Sequence, residues 1–193
     1  MSSQLHGAQH FDKSKRTKIE FSEDAMKTVQ TIITHYPEGK HKSALLPILH
    51  IAQAEFGGWL SPETMDYVAF VLKIKPIEVF EVASFYSMYN LQPMGKCILE
   101  VCQTSSCWLN GAEDILKYIE KKIGIKVGET TKDGMFSLKA VECLGSCGTA
   151  PMMQCGASYH ENLTYDKVDK VIENYSADGK LRSYTDHDYK NTL

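Results

Sequence analysis

The sequence predicts an α+β protein, with a helical bundle over residues 18–92 followed by a domain built on a small mixed sheet over residues 93–175. Three observations lead to this prediction. Apolar residues recur at helical spacing through the first part of the chain, and alternating, strand-like runs begin only near Cys97. All six cysteines lie between Cys97 and Cys155, inside the second part.

Four helices are predicted in the first domain. Ser22 caps the first helix, because a serine hydroxyl at this position accepts a hydrogen bond from the free N–H groups of the first turn. A second helix is predicted from about Ser43 to Phe56, and the third and fourth begin at Pro62 and Pro76, since proline favours the first helical position. A run of aromatic residues near the end of this domain is predicted to lie in its core, the alternative being a surface for a cofactor or partner: Phe80, Phe85, Tyr86 and Tyr89.

The second domain is predicted to have the order β-α-β-β-α. The strands are predicted at 97–101, 136–140 and 152–155, and the helices at 110–123 and after the cap residue Thr164. In the second strand, Phe136, Leu138 and Ala140 alternate with polar residues, as expected of a strand with one buried face. Cys97 and Cys155 fall inside strands and are expected to be buried thiols.

Composition narrows the class of protein. The chain has 193 residues, of which 43% are hydrophobic and 23% charged, as in ordinary globular proteins. A net charge of −3 argues against nucleic acid as a partner. Polar segments at 1–17 and 176–193 flank the two domains, and the second is expected to be loosely ordered. The first segment has no apolar signal core and no long apolar run follows, so we expect a cytoplasmic chain without membrane insertion.

The cysteines fall into pairs that can share a site. Cys97 and Cys102 cannot, because a strand would separate them by about 16 Å and direct them to opposite faces. The stretch CQTSSC follows a strand and has no apolar residue that requires burial. The stretch CLGSCG contains glycines, which permit a close approach of the backbone to a ligand. These two loops form a candidate four-thiolate site: Cys102, Cys107, Cys143 and Cys147.

Several centres are compatible with four thiolates. Zinc, a two-iron cluster and a four-iron cluster all bind such a set, although structural zinc more often has two residues between paired cysteines. Two separated doublets match one doublet for each iron of a [2Fe–2S] cluster. A helix beginning near Asn110 and the hydroxyls of Thr104, Ser105 and Ser106 would favour such an anion. A thiol–disulfide oxidoreductase is disfavoured, because the chain has no C-x-x-C.

The stretches VCQTSSC and VECLGSCGTAPMM resemble the thioredoxin-like [2Fe–2S] ferredoxin family. Three further stretches, SALLPILHIAQAEFGGWLSPETMDYVA, EVASFYSMYNLQPMGK and GETTKDGMFSL, are similar to its complex I branch, the small iron–sulfur subunit of NADH:quinone oxidoreductase. The resemblance extends from about residue 18 to residue 175. It implies a thioredoxin-like fold for the second domain and one [2Fe–2S] cluster, with Cys102 and Cys107 on one iron and Cys143 and Cys147 on the other.

The same resemblance implies a function. The chain would be an electron-transfer subunit whose cluster exchanges electrons with the FMN of the partner NADH-binding subunit, on the cytoplasmic face of the inner membrane. FMN and NADH would bind only to that partner, and this chain has neither G-x-G-x-x-G nor a P-loop. Without a flavin, a one-electron centre cannot take hydride, so the isolated chain is expected to turn over no substrate. The alternatives are the equivalent subunit of an NAD-reducing hydrogenase or NAD-dependent formate dehydrogenase, and a structural zinc docking module.

Overall fold

The computed structural model describes residues 19–186, so the predicted N-terminal extension, residues 1–17, lies outside the described residues. Within this range the chain forms seven α-helices and one four-stranded sheet. The helices are α1 (Glu23–Thr34), α2 (Leu45–Glu55), α3 (Pro62–Leu72), α4 (Pro76–Phe85), α5 (Ser105–Leu109), α6 (Ala112–Ile123) and α7 (Tyr165–Asp178). The strands are β1 (Cys97–Cys102), β2 (Phe136–Val141), β3 (Met153–Cys155) and β4 (Ser158–His160). No helix between residues 19 and 186 is both long and apolar enough to cross a membrane.

Local capping chemistry places the helices of the bundle where the sequence predicts them. The Ser22 hydroxyl accepts a hydrogen bond from the N–H of Ala25, and the Ser61 hydroxyl accepts one from the N–H of Thr64. Pro62 and Pro76 each occupy the first turn, where a missing N–H costs nothing. The four predicted helices are therefore confirmed, with α2 preceded by a short 3₁₀ turn.

Most of the aromatic run at the end of the bundle lies outside the core, so the prediction for it is wrong. Tyr89 is buried, but Phe80, Phe85 and Tyr86 are 48%, 78% and 39% exposed. Helix α4 buries Val79 and the residue four positions later. Phe80, one position further along, therefore points about 100° away from that buried face. Phe85 is the last residue of the helix and Tyr86 follows it, with its ring edge-on to the ring of the buried Tyr89.

The sheet has the strand order β2-β1-β3-β4 and is mixed, as predicted. Strands β1 and β2 are parallel, in a register that pairs Cys97 with Phe136 and Cys102 with Val141. Strand β3 runs antiparallel to β1, and β4, which was not predicted from the sequence, runs antiparallel to β3. Residues of α6 and α7 pack with those of β1, β2 and β3 in one core, separate from the core of the helical bundle. The domain boundaries at 92/93 and 175/176 stay predictions.

Strand β2 does not have the predicted alternation. Ser137 is fully buried, whereas Ala140 is exposed. The Ser137 hydroxyl accepts a hydrogen bond from the N–H of Gly95 at 2.8 Å and bonds to the Thr130 hydroxyl at 2.6 Å. The polar face of this strand is therefore covered by the segment before β1, and its hydroxyl is satisfied by local partners.

The sequence predicts that Cys97 and Cys155 are buried thiols, and the structure shows that they are not free thiols. The structure joins them as a disulfide between the neighbouring strands β1 and β3, with their Cα atoms 6.2 Å apart. Both lie fully buried in the core of the sheet domain. Their separation of 58 residues carries no local pattern, so only the strand order brings them together.

The C-terminal tail is packed from residue 176 to residue 186, which corrects the expectation of loose order for these residues, whereas residues 187–193 lie outside the described residues. Helix α7 continues to Asp178, and residues 181–184, here named the C-terminal strap, lie at the junction of the two domains. The Arg182 N–H donates to the Lys96 carbonyl at 2.7 Å, and the Arg182 guanidinium lies 4.6 Å from the centre of the Tyr175 ring. Tyr184 donates a hydrogen bond to the buried carboxylate of Glu100.

Candidate metal centre

The two predicted cysteine pairs lie on segments that leave the sheet at the same edge. Cys102 is the last residue of β1, and Cys107 lies within α5 just beyond it. Cys143 follows the end of β2, and Cys147 begins a 3₁₀ turn. Because β1 and β2 are parallel and pair Cys102 with Val141, the residues after each strand emerge side by side. The strand pairing thus brings the two loops together, as the sequence predicts.

The four sulfurs form two neighbouring pairs. The sulfurs of Cys143 and Cys147 are 3.9 Å apart. Those of Cys102 and Cys107 are hydrogen-bonded to each other, and Cys107 also interacts electrostatically with Cys147. Within residues 19–186, no three histidine, cysteine or acidic side chains converge on one metal ion. The thiol groups are therefore arranged as two doublets side by side.

Backbone N–H groups point at these sulfurs. Cys102 accepts hydrogen bonds from the N–H groups of Thr104 and Leu144, and Cys107 accepts one from the N–H of Met152. The Gly145 N–H lies 3.4 Å from the sulfur of Cys143. N–H donors of this kind stabilise negative charge on sulfur, which is the charge that ligand thiolates carry.

Burial and hydrogen bonding shift the pKa values of the Cys102 and Cys107 thiols in opposite directions. Burial acts to raise the pKa of the Cys102 thiol, but the hydrogen bonds that this sulfur accepts outweigh it, and the pKa lies below its usual range. For Cys107, burial, the hydrogen bond with Cys102 and the nearby Cys147 together raise the pKa to about 11. Cys102 is therefore the more readily ionised thiol of the pair.

The donors around the sulfurs fit an anionic cluster held by four thiolates. The buried hydroxyl of Thr104 lies beside the Cys102 sulfur and has no other hydrogen-bond partner among residues 19–186. A hydroxyl has a single proton, and in this position it can donate that proton to sulfur, either to Cys102 or to a sulfur of a bound cluster. Thiol, amide and hydroxyl groups are also the donor set that tunes iron–sulfur centres.

The site is buried at one end and open at the other. Cys102 and Cys107 are buried, whereas Cys143 and Cys147 are exposed. Next to Cys107, Trp108 and Leu109 are 57% and 75% exposed. An electron donor or acceptor can therefore approach from the side of the second pair.

The helix near the site is arranged differently from the prediction. The predicted helix at 110–123 begins two residues later, at Ala112 of α6, because Gly111 before it adopts a left-handed conformation with φ +86°. The short helix α5, which precedes it, was not predicted. The Asn110 N–H bonds back to the carbonyls of Ser106 and Cys107, which closes the short helix α5. Cys107 therefore sits on a helical turn instead of an extended loop.

Two residues that support the second cysteine loop escape sequence reasoning. Glu161 accepts hydrogen bonds from the hydroxyls of Ser146 and Thr149, and these bonds hold the pKa of its carboxyl below the usual range. The Tyr159 hydroxyl donates to the carbonyl of Leu144 at 2.6 Å. Both residues lie in or beside β4, so prediction of that strand is the one signal that would have found them.

The sequence is similar to those of known proteins. The sequence pattern of the thioredoxin-like [2Fe-2S] ferredoxin family matches residues 29–176. A Rickettsia felis protein, named as a subunit of NADH-quinone oxidoreductase, is 44% identical over 164 residues, which cover 85% of this chain and 98% of that protein. A Dictyostelium discoideum protein named NADH dehydrogenase [ubiquinone] flavoprotein 2, mitochondrial, is 42% identical over 153 residues, which cover 79% of this chain and 62% of that protein.

A solved structure shares the fold. An NAD+-reducing [NiFe]-hydrogenase in its H2-reduced state superposes with a TM-score of 0.61 at 20% identity, over 69% of this chain and 22% of the hydrogenase chain. The identity is too low to say more than that the folds are alike. The family match spans most of the chain, and the R. felis protein aligns over nearly its whole length. The predicted resemblance is thereby confirmed, and the chain belongs to the thioredoxin-like [2Fe-2S] ferredoxin family.

Proposed function

We propose that this chain is the electron-transfer subunit of an NADH:quinone oxidoreductase, and that it carries one [2Fe–2S] cluster which exchanges electrons with the FMN of the partner NADH-binding subunit. The observation that carries the proposal is the pair of adjacent thiol doublets, surrounded by N–H donors, in a chain of this ferredoxin family. The near full-length match to the R. felis NADH-quinone oxidoreductase protein supports the choice of parent complex.

In this proposal Cys102 and Cys107 hold one iron, and Cys143 and Cys147 hold the other. When bound, the cluster supplies a centre that gains and loses single electrons. The N–H groups of Leu144 and Met152 stabilise the thiolates, and burial of the first pair excludes water from that end. The exposed second pair leaves the other end open toward the flavin of the partner.

The chain is a component of an oxidoreductase and has no turnover of its own in this proposal. FMN and NADH bind to the partner subunit, and hydride transfer takes place there. The assembled complex holds the chain on the cytoplasmic face of the inner membrane, without insertion of this chain into the bilayer. The equivalent subunit of an NAD-reducing hydrogenase or formate dehydrogenase is the second candidate, since the hydrogenase structure shares the fold.

The first experiment measures metal and sulfide in the purified full chain. We expect two irons and two acid-labile sulfides per chain, with no EPR signal when oxidised and a spin-half signal after dithionite. Cys143→Ala should lose the cluster, whereas Cys97→Ala, outside the site, should keep it. One zinc without sulfide would instead indicate a structural docking module, and full iron loading of Cys143→Ala would refute the ligand assignment.

A second experiment identifies the parent complex. An affinity-tagged chain is purified from its native membranes under mild conditions, and the retained activity is assayed. NADH oxidation coupled to quinone reduction supports the proposal. Hydrogen- or formate-dependent NAD reduction in the same fraction would assign the chain to the second candidate.

A further inference from the structure

A buried ion pair lies next to the candidate metal centre and takes no part in binding it. Glu100 on β1 and Lys139 on β2 are paired directly across the two parallel strands, with Nζ and Oε1 3.8 Å apart. Glu100 is almost fully buried, and the side chain of Lys139 is largely so. Charges are rarely buried without a role, because removing them from water is costly.

The pair lies close to Cys102 on the same side of the sheet. Side chains alternate along a strand, so Glu100 and Cys102, two positions apart, share a face. Two positions along a strand correspond to about 7 Å. The opposite face, with Cys97, Leu99 and Val101, packs into the core of the sheet domain. The carboxylate is therefore a neighbour of a cysteine that the proposed function assigns as an iron ligand.

Groups from two other parts of the chain hold the pair in place. The Tyr184 hydroxyl of the C-terminal strap donates to the second carboxylate oxygen of Glu100. The Lys139 ammonium donates to the side-chain oxygen of Asn90 at 2.5 Å and to the carbonyl of Ser87 at 3.4 Å, both in the segment after α4. Each charge thus has a fixed position set by the helical bundle or by the strap.

We propose that the Glu100–Lys139 pair sets the reduction potential of the cluster. The inference rests on the proposed function. Reduction adds one negative charge to the cluster, so the Glu100 carboxylate disfavours the reduced form and the Lys139 ammonium favours it. Burial keeps both interactions from being screened by solvent and salt.

The test is a potentiometric titration of the full chain with its cluster, followed by EPR. Glu100→Gln keeps the shape and an acceptor for Tyr184, and it should raise the ratio of reduced to oxidised cluster at a fixed potential by roughly tenfold, equivalent to about 59 mV for a one-electron couple. Lys139→Met keeps the apolar stem and should shift the ratio in the opposite direction. The double variant should lie between them, near the original chain.

A matched control uses the solvent-accessible pair Lys42–Glu78 of the helical bundle, whose charged atoms are 2.8 Å apart. Glu78→Gln and Lys42→Met make the same chemical changes far from the cysteines and should leave the potential unchanged. Iron and sulfide content are measured first for every variant. If one single variant does not bind the cluster, the other single variant and the double variant still give the sign of the shift in reduction potential.

The outcomes separate the two proposals. Opposite shifts for Glu100→Gln and Lys139→Met support electrostatic control, since general loosening of the site would move both variants in the same direction. Equal or absent shifts in cluster-loaded variants refute it and leave the proposed function intact. Absence of an iron–sulfur cluster from the original chain would refute the proposed function itself.

Discussion

Replacement of Gly156 by alanine tests the packing of the C-terminal strap. Gly156 lies in the turn between β3 and β4, with φ +56°, a conformation that residues other than glycine rarely adopt. A Cβ at this position would lie 2.9 Å from both the backbone nitrogen and the backbone oxygen of Ser183, and 3.0 Å from the Cβ of Arg182. Backbone atoms cannot move aside as a flexible side chain does, so the strap itself must shift.

The magnitude follows from two separate costs. The left-handed conformation costs an alanine about 1–2 kcal/mol. Overpacking against a fixed neighbour adds about 1–3 kcal/mol. Gly156→Ala should therefore lower the free energy of unfolding by about 2–5 kcal/mol. Gly134 is the matched control, because its φ is +69° and no heavy atom lies within 4 Å of the added Cβ. Gly134→Ala should show the conformational cost alone.

Urea unfolding followed by circular dichroism measures both variants, and limited proteolysis reports whether residues 179–186 become accessible. We expect Gly156→Ala to lose more stability than Gly134→Ala by the overpacking cost, about 1–3 kcal/mol, and to be cleaved faster in this segment. Equal losses in the two variants, with unchanged cleavage, would show that the strap does not pack against the β3–β4 turn as described.

Three further variants test other parts of the fold. Burial lowers the pKa of His50 from its usual 6.5, so the unfolded chain binds the proton more readily and the free energy of unfolding falls as the pH drops below about 6.5. His50→Phe keeps the ring contact with Tyr89 and should therefore lose less stability between about pH 7 and pH 5 in urea titrations. Leu138→Ala, in the core of the sheet domain, should cost about 2–5 kcal/mol in the same assay. Thr164→Ala removes the hydroxyl that caps α7 at the Lys167 N–H and should cost about 1 kcal/mol, whereas an unchanged midpoint would contradict the capping role.

Features that depend on neighbouring residues were predictable from the sequence. Ser22 and Ser61 cap helices through hydroxyls that act on the next turn, so their role is visible in a few letters. The grouping of the cysteines was also predictable, because Cys102 ends one strand, Cys143 follows another, and the ends of adjacent parallel strands meet. The ligand assignment itself stays a prediction, which the iron and sulfide measurement tests.

Features that depend on distant parts of the chain were not predictable. Nothing near Cys97 or Cys155 indicates that β1 and β3 are neighbours, and so their disulfide was missed. The tail looks like a polar, loose segment because its partners, among them Glu100 and Lys96, lie more than 80 residues away. Phe85 is as apolar as a core residue, and its exposure depends on where α4 ends relative to the rest of the bundle.

The parallel pairing of β1 with β2 has a consequence for how the protein is made. Both cysteine loops are anchored to strands that are joined over six residue pairs, in a domain with its own apolar core. In small zinc domains, the metal supplies the free energy of folding, and the chain collapses without it. Here the strand pairing and the apolar core do not depend on a metal, so the polypeptide can fold before iron and sulfide bind. Loss of the cluster should then leave a folded apoprotein that can be refilled.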